Sequence, residues 1–318
     1  MTSFDEVFAE DYIPTDRPMR IGRYMLGAVI GEGKSAIVRK AAKEGDKKKY
    51  AVKVLNKLAG HRGTLIQLQF QQEVEALRRI SHENVVCMHD CLHSQKRLYI
   101  VLEFLTGTLL SLYVAKRKGL PEDETLDYSH QLTSALAYLH KNHVVHRDIK
   151  PDNVILDKDK ELLKIIDFGL SATCPSNPHF TRRCGTPAYM APEVTSTTGY
   201  GCAVDMWSLG VSIVEMLQGS APILDELHHR GNYPKLVQRR NMFAGLPPLS
   251  KDCISFLDRL LQLYPERRMS AADSLQHAWI KSSYVNRTQQ QKHLQQEETK
   301  QTLHAVKSKQ LPGSPRID

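Results

Sequence analysis

Between His146 and Asn153 the chain gathers a carboxylate, an ammonium and an amide within eight residues, His146-Arg147-Asp148-Ile149-Lys150-Pro151-Asp152-Asn153. Asp148 offers a base. Lys150, two positions on, offers a counter-charge for phosphate, and Asn153, three further, offers a hard oxygen donor for a metal ion. Apolar pairs bracket the run, Val144-Val145 before it and Val154-Ile155 after it. The pattern reads as a polar loop pinned at both ends by short buried strands, the setting in which reacting groups are held rigidly.

Other segments must position this loop. Nineteen residues after Asp148, Asp167 ends an apolar run, Leu162-Leu163-Lys164-Ile165-Ile166, and is followed by Phe168-Gly169. Near the N-terminus the strand-like Tyr24–Ile30 enters Gly31-Glu32-Gly33-Lys34-Ser35-Ala36-Ile37-Val38. A strand, a glycine turn and a returning strand let backbone N–H groups approach phosphates, although an ordinary hairpin turn carries the same signature. Tyr50–Leu55 alternates as a half-buried strand around Lys53. A lysine there is commonly a solvated face residue, but Phe70, Val74, Leu77 and Ile80 then recur near helical spacing with Glu73 beside them. Pro121 and the acids Glu122, Asp123 and Glu124 open a further helix, with Leu132, Ala135, Leu136 and Leu139 on one face.

Composition bounds the function classes. Hydrophobic residues at 41% and charged residues at 25% fit a soluble globular chain, and 318 residues suffice for one large domain or two lobes. No apolar run approaches the roughly 20 residues of a membrane span. Met1–Arg20 is acidic and polar without a signal-peptide core, so cytoplasm or nucleus is expected. Six cysteines without a C-x-x-C pair read as free thiols rather than a disulfide frame or zinc site. The net charge of +8 invites nucleic acid or acidic lipid as partners, but no like-charge block exceeds Lys47-Lys48-Lys49. A mildly basic solvated surface is expected, with neither nucleic acid nor membrane as partner.

Taken in order, these motifs resemble the eukaryotic-type serine/threonine protein kinase family. The resemblance runs from residue 24 to about 280 and rests on His146-Arg147-Asp148-x-Lys150-x-x-Asn153, Asp167-Phe168-Gly169, Ala51-Val52-Lys53 and Gly185-Thr186-Pro187-Ala188-Tyr189-Met190-Ala191-Pro192-Glu193. It implies an α+β, bilobal fold: a small β-rich N-lobe (23–102) and a larger, mainly helical C-lobe (103–280). A flexible arm (1–22) precedes it, and a polar tail (281–318), disordered or partly helical, follows.

The resemblance also implies ATP and Mg2+, with Asp148 orienting a Ser or Thr hydroxyl and Lys150 neutralising the moving phosphoryl group. Asn153 and Asp167 would hold the metal. Lys53, fixed by Glu73 (or by Glu75 if the register is two residues off), would position the triphosphate. The nucleotide would lie against Ile30, Gly31, Glu32, Gly33, Lys34, Ser35, Ala36, Val38, Ala51 and Ile155. Leu102 would be the gatekeeper, and main-chain groups of Glu103 and Leu105 would meet adenine. The glycine loop departs from the family pattern: Ala36 replaces the third glycine, and Ser35 stands where an aromatic residue is usual.

On the substrate side, Lys150 and Gly185-Thr186-Pro187 resemble the serine/threonine branch, and the stretch from Gly185 to Gly210 looks like the calcium/calmodulin-dependent kinase-related group. Thr186, Asp152 and Glu215 fall at substrate-reading positions, the latter two where relatives read an upstream arginine. Leu109 stands where a third acid is common. Arg268 is the implied buried partner of Glu193. Arg147 matches an arginine that clamps an activation-loop phosphate. The usual phosphosite position holds Arg182, leaving Thr181 as the candidate for an upstream kinase. A monomer acting on protein substrates is expected. The rivals are a pseudokinase scaffold, which usually lacks one of the charged positions retained here, and a small-molecule phosphotransferase, which has no use for the Gly185–Glu193 segment.

Overall fold

The computed structural model describes residues 19–33, 36–57, 63–157, 161–173, 179–195, 199–220 and 245–282. Lys34, Ser35 and the segment 283–318 lie outside them, and with them two nucleotide-loop residues and nearly all of the expected tail.

Six strands form one antiparallel sheet in the order β1-β2-β3-β4-β6-β5. They are β1 (Met19–Ile21), β2 (Tyr24–Glu32), β3 (Ala36–Lys43), β4 (Lys49–Asn56), β5 (Met88–His93) and β6 (Arg97–Glu103). The sheet therefore starts at Met19, which corrects the arm expected over 1–22. Ile21 pairs with Tyr24 across a turn in which Gly22 takes a φ of 52°. Short, alternating strands of β-branched and aromatic residues explain this lobe. In β4 the period of two sends Tyr50, Val52 and Val54 into a cluster with Tyr24, Leu26, Tyr99 and Val101. Ala51 and Lys53 are thereby left on the opposite face.

Against that face packs helix α1 (Gly63–Arg79), which buries Ile66, Glu73, Val74, Ala76 and Leu77. Val74 and Leu77 join Ile100 and Leu102 of β6 in the main core, which continues without a break into the second lobe. There β7 (Thr108–Leu109) and α2 (Leu110–Arg117) lead to α3 (Glu122–Lys141). Strand β8 (Val144–Val145) precedes the polar loop. After it come β9 (Val154–Asp157), β10 (Leu162–Ile165) and β11 (Ala172–Thr173).

Helix α4 (Ala203–Gln218) is buried from Val204 to Leu217. So apolar a helix must be enclosed on all sides. Gly210 makes part of that enclosure possible, since a Cβ there would come within 2.8 Å of the Leu261 side chain. Helix α5 (Lys251–Leu260) packs beside it through Cys253, Phe256, Leu257 and Leu260, its N-terminus capped by the Ser250 side chain. The last helical turn runs through residue 282, two residues into the stretch assigned to the tail. Among the described residues, no helix is long and apolar enough to cross a membrane.

Candidate active site

The polar loop is pinned as its flanks require. β8 pairs with β11 and β9 with β10, so residues 146–153 are anchored on both sides by antiparallel ladders. Asp148 is fixed by four donors. Its Oδ1 accepts from the Thr186 N–H (2.9 Å) and hydroxyl (2.7 Å), and its Oδ2 from Asn153 Nδ2 (3.0 Å) and Lys150 Nζ (3.1 Å). Lys150 also donates to the Thr186 hydroxyl at 2.5 Å.

A second cluster faces it. Lys53 Nζ donates to both Glu73 oxygens (2.7 and 2.9 Å) and to Asp167 Oδ1 (2.9 Å). Glu75 pairs instead with Arg79 on the outer side of α1. Burial disfavours the Lys53 charge, but the Glu73 and Asp167 carboxylates outweigh it and hold the ammonium above its ordinary pKa. Burial likewise pushes Asp167 up, yet Lys53 prevails and draws its carboxyl down to about 2. The two clusters are tied together: Ile166 N–H donates to the Asn153 carbonyl at 3.0 Å, next to the Asn153 side chain that bonds Asp148.

Several of the expected nucleotide residues are tied to this site through strand pairing. Val38 is the register partner of both Gly31 and Lys53, and Ala51 is paired with Leu102. Leu109 pairs with Ile155, which brings β9 beneath the link between the lobes. Ile30 is exposed, Leu102 is buried, and Leu105 is half-buried in that link. Glu103 bonds the Cys87 N–H and Lys164 through its side chain. A Cβ at Gly31 or Gly33 would meet protein atoms only at ordinary contact distance, 3.7 and 3.6 Å. The fold itself does not demand glycine at either position.

The family model for the protein kinase domain matches residues 24–280, over four-fifths of the chain. The chain belongs to the protein kinase domain family. Hormonally up-regulated neu tumor-associated kinase homolog of Xenopus tropicalis is 35% identical over 270 residues, covering 83% of this chain and 38% of that protein. The present chain thus spans well under half the length of that relative. Aurora kinase of Schizosaccharomyces pombe is 36% identical over 272 residues, covering 84% of this chain and 74% of the relative. CBL-interacting protein kinase 9 of Oryza sativa subsp. japonica is 36% identical over 276 residues, covering 85% and 59%.

In this kinase domain the two acids expected at substrate-reading positions, Asp152 and Glu215, lie near one another. Glu215, buried in α4, accepts from the Tyr189 hydroxyl at 2.5 Å. Burial raises its pKa to about 7; the Tyr189 bond opposes the rise and the nearby Asp152 carboxylate adds to it. Asp152 is exposed. Arg268 grips Glu193 bidentately (2.5 and 3.0 Å), both residues being buried. Thr181 is exposed, as are Arg182 and Arg183. Arg147 donates to the Leu170 carbonyl (2.6 Å) and the Ser171 carbonyl (3.4 Å), and its guanidinium lies 4.8 Å from the Phe180 ring centre. Phe180 in turn forms a two-bond bridge with Tyr200.

One residue of the kinase site was not assigned a role from sequence. Fully buried Asp205 accepts from the backbone N–H groups of His146 (2.9 Å) and Arg147 (2.8 Å) and pairs with His140 Nε2 (2.9 Å). Burial would raise its pKa, but the bond from His140 and the charges and N–H facing it hold it below the ordinary carboxylate value. It locks a turn in which Arg147 takes a φ of 65°, a strained conformation for a non-glycine residue. The available signal was an acid in an otherwise apolar helix, because a buried charge needs partners.

Proposed function

We propose that this protein is an ATP-dependent serine/threonine protein kinase. The observation that carries this reading is the unbroken bonded path from Lys53 through Asp167, Ile166 and Asn153 to Asp148 and Lys150. A phosphate-binding cation, two hard oxygen donors and a base thus share one cleft, which suits transfer by positioning and electrostatics rather than a covalent enzyme intermediate. Asp148 orients the acceptor hydroxyl and takes its proton late. Lys150, already bonded to a hydroxyl at Thr186, neutralises the transferring group. Lys53, braced by Glu73, holds the α- and β-phosphates, and Gly31 and Gly33 allow the backbone near them.

Asn153 and Asp167 fit Mg2+. The amide nitrogen of Asn153 is spent on Asp148, leaving its oxygen, and the Asp167 side chain is 48% exposed toward solvent. These two residues would hold the cation, which would supply charge neutralisation for the phosphates. Asp152 and Glu215, close enough for the one carboxylate to raise the other's pKa, support a preference for arginine upstream of the target. The 185–210 stretch supports the calcium/calmodulin-dependent kinase-related group, and exposed Thr181 supports control by an upstream kinase. The test is ADP production with a basic Ser-containing peptide and Mg2+. Asp148→Asn should lower turnover by about 10²–10⁴-fold with nucleotide affinity retained. Equal turnover in both proteins defeats the proposal.

A further inference from the structure

No run of like charge in the sequence exceeds Lys47-Lys48-Lys49, yet residues 20–49 carry nine basic residues against Glu32, Glu44 and Asp46. Strand pairing gathers several of these cations at one end of the six-stranded sheet. Arg20, Met25, Ala42 and Lys49 are register partners in turn across β1, β2, β3 and β4. Residues directly opposite one another share a face, and all four are exposed. The same end continues into exposed Arg23, whose carbonyl accepts from the Glu44 N–H at 2.9 Å, and into the turn that carries Lys47 and Lys48. A Cβ at Gly45 in that turn would meet nothing within 4 Å, so the turn stands clear of the fold.

The acids of this end are already engaged. Glu44 pairs with Arg20 at 2.7 Å, and Asp46 accepts from the Tyr50 hydroxyl (2.6 Å) and the Lys48 N–H (2.9 Å). Arg23, Lys47, Lys48 and Lys49 make no ion pair among the described residues. Met25, between Arg20 and Ala42 in the row, is 45% exposed.

We propose that this end of the sheet docks on an anionic lipid bilayer. Anionic headgroups answer the four unpaired cations, and the Met25 thioether enters the boundary between headgroups and acyl chains beside the lysine stems. Single-stranded nucleic acid fits less well, because its bases stack on exposed aromatic rings. The two rings of this end, Tyr24 and Tyr50, are buried and packed edge to face. The site departs from the membrane-free surface expected from the sequence, since strand register and not a contiguous run assembles it. Lys53 lies four residues along β4 from Lys49, about 13 Å away, so docking does not depend on phosphoryl transfer.

The test is co-sedimentation of the full chain with phosphatidylcholine vesicles, plain or with about one-third phosphatidylserine, in about 0.1 M salt. Wild type should bind the anionic vesicles alone. An anionic surface favours each nearby lysine roughly fivefold, so Lys47→Gln/Lys48→Gln/Lys49→Gln should weaken partitioning by about 10²-fold. Met25→Ser should weaken it several-fold. Lys116→Gln/Lys141→Gln/Lys281→Gln, an equal loss of charge at exposed positions outside this sheet, should leave it within about twofold. Thermal unfolding verifies that each variant is folded. Equal binding by wild type and the first triple variant overturns the proposal, as does an equal loss in both triple variants. So does failure of wild type to bind anionic vesicles, or tighter binding to a single-stranded oligonucleotide that the same three lysine changes abolish.

Discussion

Replacing Lys53 by Met separates what the Lys53–Glu73 pair does for stability from what it does for phosphoryl transfer. The Glu73 side chain is 2% exposed and Lys53's 14%, so removing the ammonium strands a carboxylate with almost no water to solvate it. Breaking a buried pair in this way costs about 3–5 kcal/mol. The third bond adds little to that figure, since the Asp167 side chain is 48% exposed and its attraction is screened. For a domain of this size the loss corresponds to a melting temperature lower by roughly 10 °C. Lys53→Met/Glu73→Leu replaces both charges with apolar groups of similar volume and should recover most of that stability. It should recover none of the activity, because the cation proposed to bind phosphate is still missing, a loss of about 10²–10³ in turnover. Thermal unfolding and ADP production on the same three proteins test both halves. A Lys53→Met protein that melts with wild type, or a double variant with restored turnover, refutes the reasoning.

Further outcomes follow from the substrate side and the core. The proposed reading of arginine by Glu215 requires its ionised form. With its pKa near 7, selectivity for an Arg-containing peptide over a Leu analogue should rise about tenfold from pH 6 to 8 and stay flat in Glu215→Gln. Competition assays across that range decide it. Arg268→Met leaves Glu193 buried without its bidentate partner and should cost about 3–5 kcal/mol in denaturant unfolding, against less than half that for Arg268→Met/Glu193→Gln. Thr181→Ala should lower turnover by no more than roughly tenfold, since the Phe180–Tyr200 bridge and the Arg147 contacts already hold the segment without a phosphate. A larger loss on steady-state assay would mean that these contacts do not suffice.

Much of the site was legible because its parts are local. Asp148, Lys150 and Asn153 lie within six residues of one another, and the apolar pairs around them announce the strands that hold the loop. The alternation of β4 put Lys53 on a face, and the periodicity of α1 put Glu73 beside the apolar stripe. The β1 strand was missed because Met19–Ile21 is too short to show a period and becomes a strand only by pairing with β2. Asp205 carried no expectation of its own. Its two backbone bonds reach back 58 and 59 residues, a distance at which no sequence pattern speaks.

What the sequence determined by itself was the set of chemical groups and the strand, helix or loop that carries each. Periodicity and turn chemistry act over a few residues and are written into the chain. Only the tertiary structure decided the pairings: Glu73 rather than Glu75 on Lys53, Phe180 on Arg147, and Glu215 against Asp152. Those depend on side-chain direction and on burial, which strengthens or penalises each charge. Both are fixed only when distant segments pack.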